Sequence, residues 1–182
     1  MGLEAQVNKK NQKIIIFDSC DMTGKTNVAN ELSKILNIPI YKNKNEHNKT
    51  HDKLISLFYG IEELTQFLEQ TSYSIIFDRF HVSEYVYSKV LGRYSCEEKI
   101  FEIDKRLSKL NCFIIYPWKS SKQYKKDDSG IIDIKYYDKI KEKYEDFFKK
   151  TKCNVIKYNS DDENLNKQIK YILSKLNEYS NN

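Results

Sequence analysis

The sequence predicts an α/β sandwich, in which a parallel β-sheet lies between two layers of helices. Five short apolar clusters recur along the chain, and each is apolar on both faces, as buried parallel strands are. Segments with helical spacing of apolar residues separate them, and this alternation favours a sheet covered on both sides by right-handed crossovers. The predicted strands are residues 13–17, 38–41, 74–77, 112–116 and 154–158.

Composition indicates one domain, residues 1–182, because 182 residues with 40% hydrophobic content suit a single core. Charges of both signs are interleaved and sum to only +5, which indicates a solvated surface and no nucleic-acid partner. No apolar run approaches the roughly 20 residues of a membrane span. Four scattered cysteines without a CxxC pair favour a reducing compartment, so we expect a cytoplasmic protein.

Residues 18–26, which read DSCDMTGKT, follow the first predicted strand and precede a helix. They nearly match the phosphate-loop pattern GxxxxGK[ST], with Ser19 in place of the first glycine. In such loops backbone N–H groups face the phosphates, the lysine neutralises the outer ones and the hydroxyl ligates magnesium. The predicted cofactors are ATP and Mg²⁺, with Thr26 as a metal ligand. The predicted ATP contacts in the loop are Cys20, Asp21, Met22, Thr23, Gly24, Lys25 and Thr26.

The alternative interpretation of this segment is a glycine-containing turn from strand to helix. Thr23 or Thr26 would then cap the helix. Neither phosphate nor metal would be involved.

The third predicted strand ends in the charged pair Asp78-Arg79. Asp78 falls at the same sheet edge as the loop, where a carboxylate can hold magnesium or its water. Only three of the 31 basic residues are arginines, so an arginine at this place suggests a bidentate grip on phosphate or carboxylate. The alternative for Arg79 is a structural ion pair with a neighbouring acid.

Two polar stretches interrupt the alternation, residues 43–50 and residues 119–130. Both follow predicted strands and therefore fall at the carboxyl edge of the sheet, where ligands bind in open parallel sheets. We interpret them as candidates for substrate contact and closure. Ordinary solvated loops are the alternative, above all for the first stretch.

With both motifs in view, the chain resembles the thymidylate kinase family, especially its short phage-type members. The resemblance spans nearly the whole chain. It rests on residues 17–26, Leu57-Phe58, Asp78-Arg79-Phe80 with Ser83, and the lysine-rich segment after Pro117. It implies a P-loop NTPase fold of the nucleoside monophosphate kinase type, with a five-stranded parallel sheet and a mobile lid near residues 119–131.

The resemblance also implies an activity and an assembly. ATP would phosphorylate a deoxynucleoside monophosphate to the diphosphate, most directly dTMP, with dUMP as a variant. Members are commonly homodimers, and a phage-encoded member would work in the host cytoplasm. Catalytic roles fall on Lys25, Asp78 and Arg79.

Carried over residue by residue, the resemblance assigns the acceptor site. Asp21 would bind the sugar 3′-hydroxyl, and Arg79 would bind the 5′-phosphate with Ser83 beside it. Phe58 would stack on the base, and Tyr87 would lie beneath the sugar and disfavour a ribose. For Phe58 and Tyr87 the alternative is plain core packing, because aromatics at helical spacing usually face inward.

The chain departs from the family pattern at three places. Glu62 stands where an arginine often reads the pyrimidine carbonyl, and Met22 replaces the arginine that many members carry in the loop. The lid contains no arginine. We expect one of its lysines to stabilise the transferring phosphoryl group, with Lys119, Lys122 and Lys125 near ATP and Lys126 as a further candidate.

Three other functions compete with this one. A deoxynucleoside kinase would need a carboxylate base such as Asp21 or Glu46. A regulatory GTPase is suggested by residues 43–46 and 127–130, but these fragments stand in the wrong order. A nucleic-acid binder would need a one-sided basic stripe with stacking aromatics, and no recognisable motif supplies one. In-line phosphoryl transfer needs no covalent nucleophile, so we give the histidines and cysteines no catalytic role.

Overall fold

A five-stranded, all-parallel sheet forms the centre of the protein, and its strand order is β2-β3-β1-β4-β5. The computed structural model describes residues 12–42, 52–120, 134–161 and 164–180. The strands are β1 Ile14–Phe17, β2 Ile40–Lys42, β3 Ile75–Asp78, β4 Cys112–Trp118 and β5 Asn154–Asn159. Each predicted strand is present, with its bounds shifted by no more than two residues at either end.

The described ranges contain six α-helices, which connect or follow the strands. They are α1 Lys25–Leu36, α2 Asp52–Gln70, α3 His81–Leu91, α4 Glu97–Leu107, α5 Tyr137–Phe148 and α6 Leu165–Ser180. Short 3₁₀ turns precede β4 and α5 at Ser108–Leu110 and Ile134–Tyr136. None of the helices in the described ranges combines the length and apolar character that a transmembrane segment needs.

Alternation along β1 divides the core into two layers. Ile14 and Ile16 pack with residues of α2 to α5 on one face of the sheet, whereas Ile15 and Phe17 pack with α1 and α6 on the other. Because successive side chains of a strand point to opposite faces, a fully apolar strand supplies both layers at once. The predicted three-layer sandwich is therefore confirmed.

Strand order determines which loops meet. β1 lies at the centre between β3 and β4, and Phe17 pairs with Asp78 in register. The segments that leave β1 and β3 therefore emerge side by side at the carboxyl edge of the sheet. This is the edge at which parallel α/β sheets bind ligands.

Candidate active site

The loop after β1 turns sharply into α1 through two residues in the left-handed backbone region. Met22 has φ 62°, and Gly24, the N-cap of α1, has φ 77°. Glycine adopts this conformation without the steric cost that a side chain adds. The amide groups of the first turn of α1 consequently face the space above the loop, where they can meet an anion.

Ser19 fits the place of the missing glycine for a local reason. Ser19 is fully buried, and its backbone φ is not positive, so the position does not require glycine. Its hydroxyl lies 2.6 Å from the Thr23 hydroxyl and donates to the Cys20 carbonyl at 3.0 Å. The serine therefore braces the loop from inside, and the departure from the glycine pattern leaves the loop conformation intact.

Two cations meet at one carboxylate above the loop. The ammonium of Lys25 lies 3.6 Å from Asp21 Oδ1, and the guanidinium of Arg79 donates to the same oxygen. Lys25 is buried, and burial followed by the charge of Arg79 lowers its pKa. The ion pair that the alternative interpretation of Arg79 requires is thus present, and its partner is a residue of the phosphate loop.

Arg79 reaches the loop because its own backbone is left-handed, with φ 71°. Its N–H donates to the Phe17 carbonyl at 2.9 Å. The side chain lies over the ring of Tyr87, 4.9 Å from the ring centroid, and donates to the Ser83 hydroxyl at 3.4 Å. A guanidinium that lies over an aromatic face and donates to acceptors on both sides is held in a fixed direction.

Asp18 is the residue that fixes this geometry. It is fully buried, and four groups donate to its two oxygens: the Phe80 and Ser83 amides at 3.3 and 3.0 Å, and the Ser83 and Tyr144 hydroxyls, each at 2.6 Å. Hydrogen bonds to a charged group are the stronger kind. Asp18 therefore joins β1, the start of α3 and α5 around Arg79.

Thr26 and Asp78 form the part of the site that suits a divalent cation. The Thr26 hydroxyl donates to Asp78 Oδ2 at 3.0 Å, and both oxygens are of the hard type that magnesium prefers. No group of three or more His, Cys, Asp or Glu side chains in the described ranges could hold a metal by itself. A magnesium ion here would complete its shell with water and nucleotide phosphate oxygens, as this metal commonly does.

The structure brings together seven of the predicted site residues. Asp21, Lys25 and Arg79 are joined by ion pairs, and Ser83 and Tyr87 contact Arg79. Thr26 contacts Asp78. Tyr87 is buried as the core alternative requires, but it also donates to the Ser19 carbonyl at 3.4 Å, so it packs within the site.

Other predicted residues lie partly or wholly outside the described part of the chain. Phe58 falls within α2, but its side chain is not described, and Glu46 falls in the undescribed residues 43–51. Lys122, Lys125 and Lys126 fall in the undescribed residues 121–133. Lys119 directly follows β4, and its carbonyl accepts a hydrogen bond from Tyr137 at 2.9 Å.

Glu62 is engaged away from the loop. Its carboxylate forms ion pairs with Arg106 and Lys99 of α4. It therefore joins two helices.

Solved structures with a similar fold include kinases of small molecules. Bacillus subtilis YorR, solved in complex with phosphorylated GDP, matches with TM-score 0.69 and 23% identity over 91% of this chain and 98% of its own. The fold is that of the P-loop nucleoside monophosphate kinases. M. mycoides deoxyadenosine kinase with bound dATP matches at TM-score 0.63, with 22% identity over 91% of this chain and all of its own.

Thymidylate kinase from Candida albicans matches at TM-score 0.62, with 17% identity and 93% of each chain covered. The kinase fold thus agrees at the structural level with the family that the motifs suggested. No family model and no curated protein matches the sequence itself.

Sequence reasoning missed Asp18, Tyr144 and Lys42 as parts of this site. Asp18 could have been found, because it is a carboxylate that ends a fully apolar strand, the same signal that drew attention to Asp78. Tyr144 gives no local signal, since its partner Asp18 is 126 positions away. Lys42 is one lysine in a lysine-rich chain.

Proposed function

We propose that the protein is a phosphotransferase that uses ATP and Mg²⁺ to phosphorylate a deoxynucleoside monophosphate. The observation that carries the proposal is the meeting of Lys25 and Arg79 at Asp21. One cation belongs to the phosphate loop and the other to the end of β3. Two such cations, each able to hold one phosphate, are what transfer between two nucleotides requires.

In this mechanism the protein mainly positions the two nucleotides and neutralises the negative charge of their phosphates. Lys25 and the amides at the start of α1 hold the outer phosphates of ATP, while Arg79 holds the phosphate of the acceptor. Thr26 and Asp78 would hold the magnesium ion, which neutralises charge on the transferring group. Asp21 binds the sugar of the acceptor, and Tyr87 lies beneath it.

The lid predicted near residues 119–131, of which the structure describes residues 119 and 120, belongs to the proposal as well. Lysines 119, 122 and 125 would supply the remaining positive charge around ATP. We further propose that the enzyme acts in the cytoplasm as a homodimer. Its natural acceptor would be dTMP, with dUMP as the variant that the Ser19 and Met22 departures allow.

A deoxynucleoside kinase is the second candidate, because deoxyadenosine kinase shares the fold. That reaction needs a carboxylate with a lone pair available to take the proton of the sugar hydroxyl. Asp18 already accepts four hydrogen bonds and is fully buried, so it is poorly placed to take that proton. Arg79 beside the loop supports a monophosphate acceptor, because it offers a guanidinium for a second phosphate.

The test is ATP turnover with Mg²⁺ and a panel of acceptors: dTMP, dUMP, dCMP, dGMP, dAMP and thymidine. We expect preferred phosphorylation of one monophosphate. Lys25→Ala should abolish it, and Lys34→Ala, which removes an exposed lysine paired with Glu31 on the same helix, should leave it intact. Turnover of thymidine alone would establish a nucleoside kinase, and turnover of nothing would refute the proposal.

A further inference from the structure

Lys42 ends β2 and is paired in register with Asp78 of β3. Paired residues of neighbouring parallel strands project to the same face of a sheet. The Lys42 ammonium accordingly lies 3.6 Å from Asp78 Oδ2, the oxygen that also accepts the hydrogen bond from Thr26. The lysine is thus directly beside the two oxygens that suit a divalent cation.

The two members of this ion pair differ greatly in exposure. The Lys42 side chain is 60% exposed, whereas that of Asp78 is 4% exposed. A buried carboxylate needs a compensating charge, and an exposed lysine can leave with little loss because its ammonium is readily solvated. The pair therefore combines a fixed anion with a replaceable cation.

We propose that Lys42 is the counter-ion of Asp78 in the metal-free site and that a divalent cation displaces it. This rests on the proposed function, since it takes Thr26 and Asp78 as the metal ligands. An ammonium 3.6 Å from the carboxylate and a metal ion on the same oxygen repel each other, so metal binding favours the departure of Lys42 into solvent. Lys42 acts through Asp78 and is a positioning residue.

The exchange has a consequence for the order of loading. A free metal ion must displace Lys42 with only Asp78 and Thr26 as protein ligands. A metal ion that arrives on ATP brings phosphate ligands with it, and the same displacement then costs a smaller part of the binding free energy. Lys42 therefore lowers metal affinity by a similar factor in both cases, and the added phosphate ligands favour loading of the metal together with the nucleotide.

The experiment measures Mn²⁺ affinity by electron paramagnetic resonance, with and without a non-hydrolysable ATP analogue. Lys42→Met should tighten Mn²⁺ binding about threefold to fivefold, the range that a largely exposed ion pair supports. Because the same ion pair is displaced in both cases, the factor should be similar with and without the nucleotide. Lys42→Arg keeps the charge and should behave as the wild type. Lys34→Met is the matched control, because it removes an exposed lysine paired with Glu31 elsewhere on α1.

A second variant separates the ion pair from general charge effects. In an Asp78→Asn background, Lys42→Met should no longer change Mn²⁺ affinity. Unchanged or weaker Mn²⁺ binding in Lys42→Met alone would overturn the role of Lys42. A wild-type protein that bound no ATP analogue would instead overturn the proposed function, so the two failures are distinguishable.

Discussion

The guanidinium of Arg79 and the ammonium of Lys25 share one oxygen of Asp21. Arg79 comes from the end of β3 and Lys25 from the start of α1, so this carboxylate joins the two halves of the site. Asp21 pairs with Lys25 and Arg79, the two cations that would otherwise pair with the phosphates of the nucleotides. Asp21 therefore competes with both nucleotides for their partners.

Removing the Asp21 charge should change ATP affinity and turnover in opposite directions. In Asp21→Asn we expect ATP without metal to bind about fivefold more tightly, which corresponds to about 1 kcal/mol. Turnover should fall, because the resemblance assigns the acceptor sugar to Asp21. Calorimetry and steady-state kinetics measure the two effects. Asp146→Asn removes the same charge from α5, where Asp146 pairs with Lys143 and Lys149, and should change neither. Weaker ATP binding in Asp21→Asn would contradict this account.

Ser19 should be required for a stable loop. Ser19→Ala removes the hydroxyl that meets Thr23 and the Cys20 carbonyl, and it leaves their buried polar groups with one partner fewer. We expect a loss of about 1 kcal/mol in the free energy of unfolding, measured with urea. Ser19→Gly restores the glycine of the usual pattern but should lose the same bonds. A more active Ser19→Gly enzyme would show that the serine is a defect and not a brace.

The hydroxyl of Tyr144 should stabilise the protein through Asp18. Tyr144→Phe removes a donor from a fully buried carboxylate, and the expected loss in unfolding free energy is about 2 kcal/mol. Burial raises the pKa of Tyr144, so the hydroxyl remains a neutral donor over the usual pH range.

Tyr158 offers a matched control for this change. Its hydroxyl is buried and has no hydrogen-bond partner among the described residues. Tyr158→Phe should therefore be neutral or slightly stabilising. Equal losses of unfolding free energy in Tyr144→Phe and Tyr158→Phe would contradict a stabilising hydrogen bond from Tyr144 to Asp18.

The lowered pKa of Asp104 should make the stability of the protein depend on pH in the acidic range. Burial tends to raise its pKa, but hydrogen bonds from His81, the Lys152 amide and the Thr151 hydroxyl outweigh burial and lower it. A carboxyl whose pKa is lower folded than unfolded stabilises above its unfolded value of about 4, and this stabilisation is lost as the pH falls through the folded value.

The corresponding variant is Asp104→Asn. It should be about 2 kcal/mol less stable than the wild type at pH 7 in urea unfolding. The difference should shrink at pH 3 and below, because the wild-type carboxyl then takes up its proton. A difference that stayed constant between pH 7 and pH 3 would contradict the assignment.

The sequence predicts the sheet well because its central strands β1, β3 and β4 are short, mainly apolar runs that are buried on both faces. The edge strands β2 and β5 carry polar residues and are partly exposed, so the expectation of two apolar faces is wrong for them. It also predicts that the loop and Asp78 meet, because carboxyl ends of parallel strands share one edge. Asp18 with Tyr144 and Lys42 with Asp78 depend on long-range pairing and strand register, which local patterns do not report. Most of the predicted lid, from residue 121 onward, falls in residues that the structure does not describe.

The most direct test of the account compares two binding constants in two variants. Calorimetry would measure ATP and the preferred monophosphate separately on Lys25→Ala and Arg79→Ala. We predict a crossed result: Lys25→Ala loses at least about tenfold in ATP affinity and keeps the monophosphate, and Arg79→Ala does the reverse. Parallel losses of both ligands in both variants would contradict a site with one cation for each nucleotide.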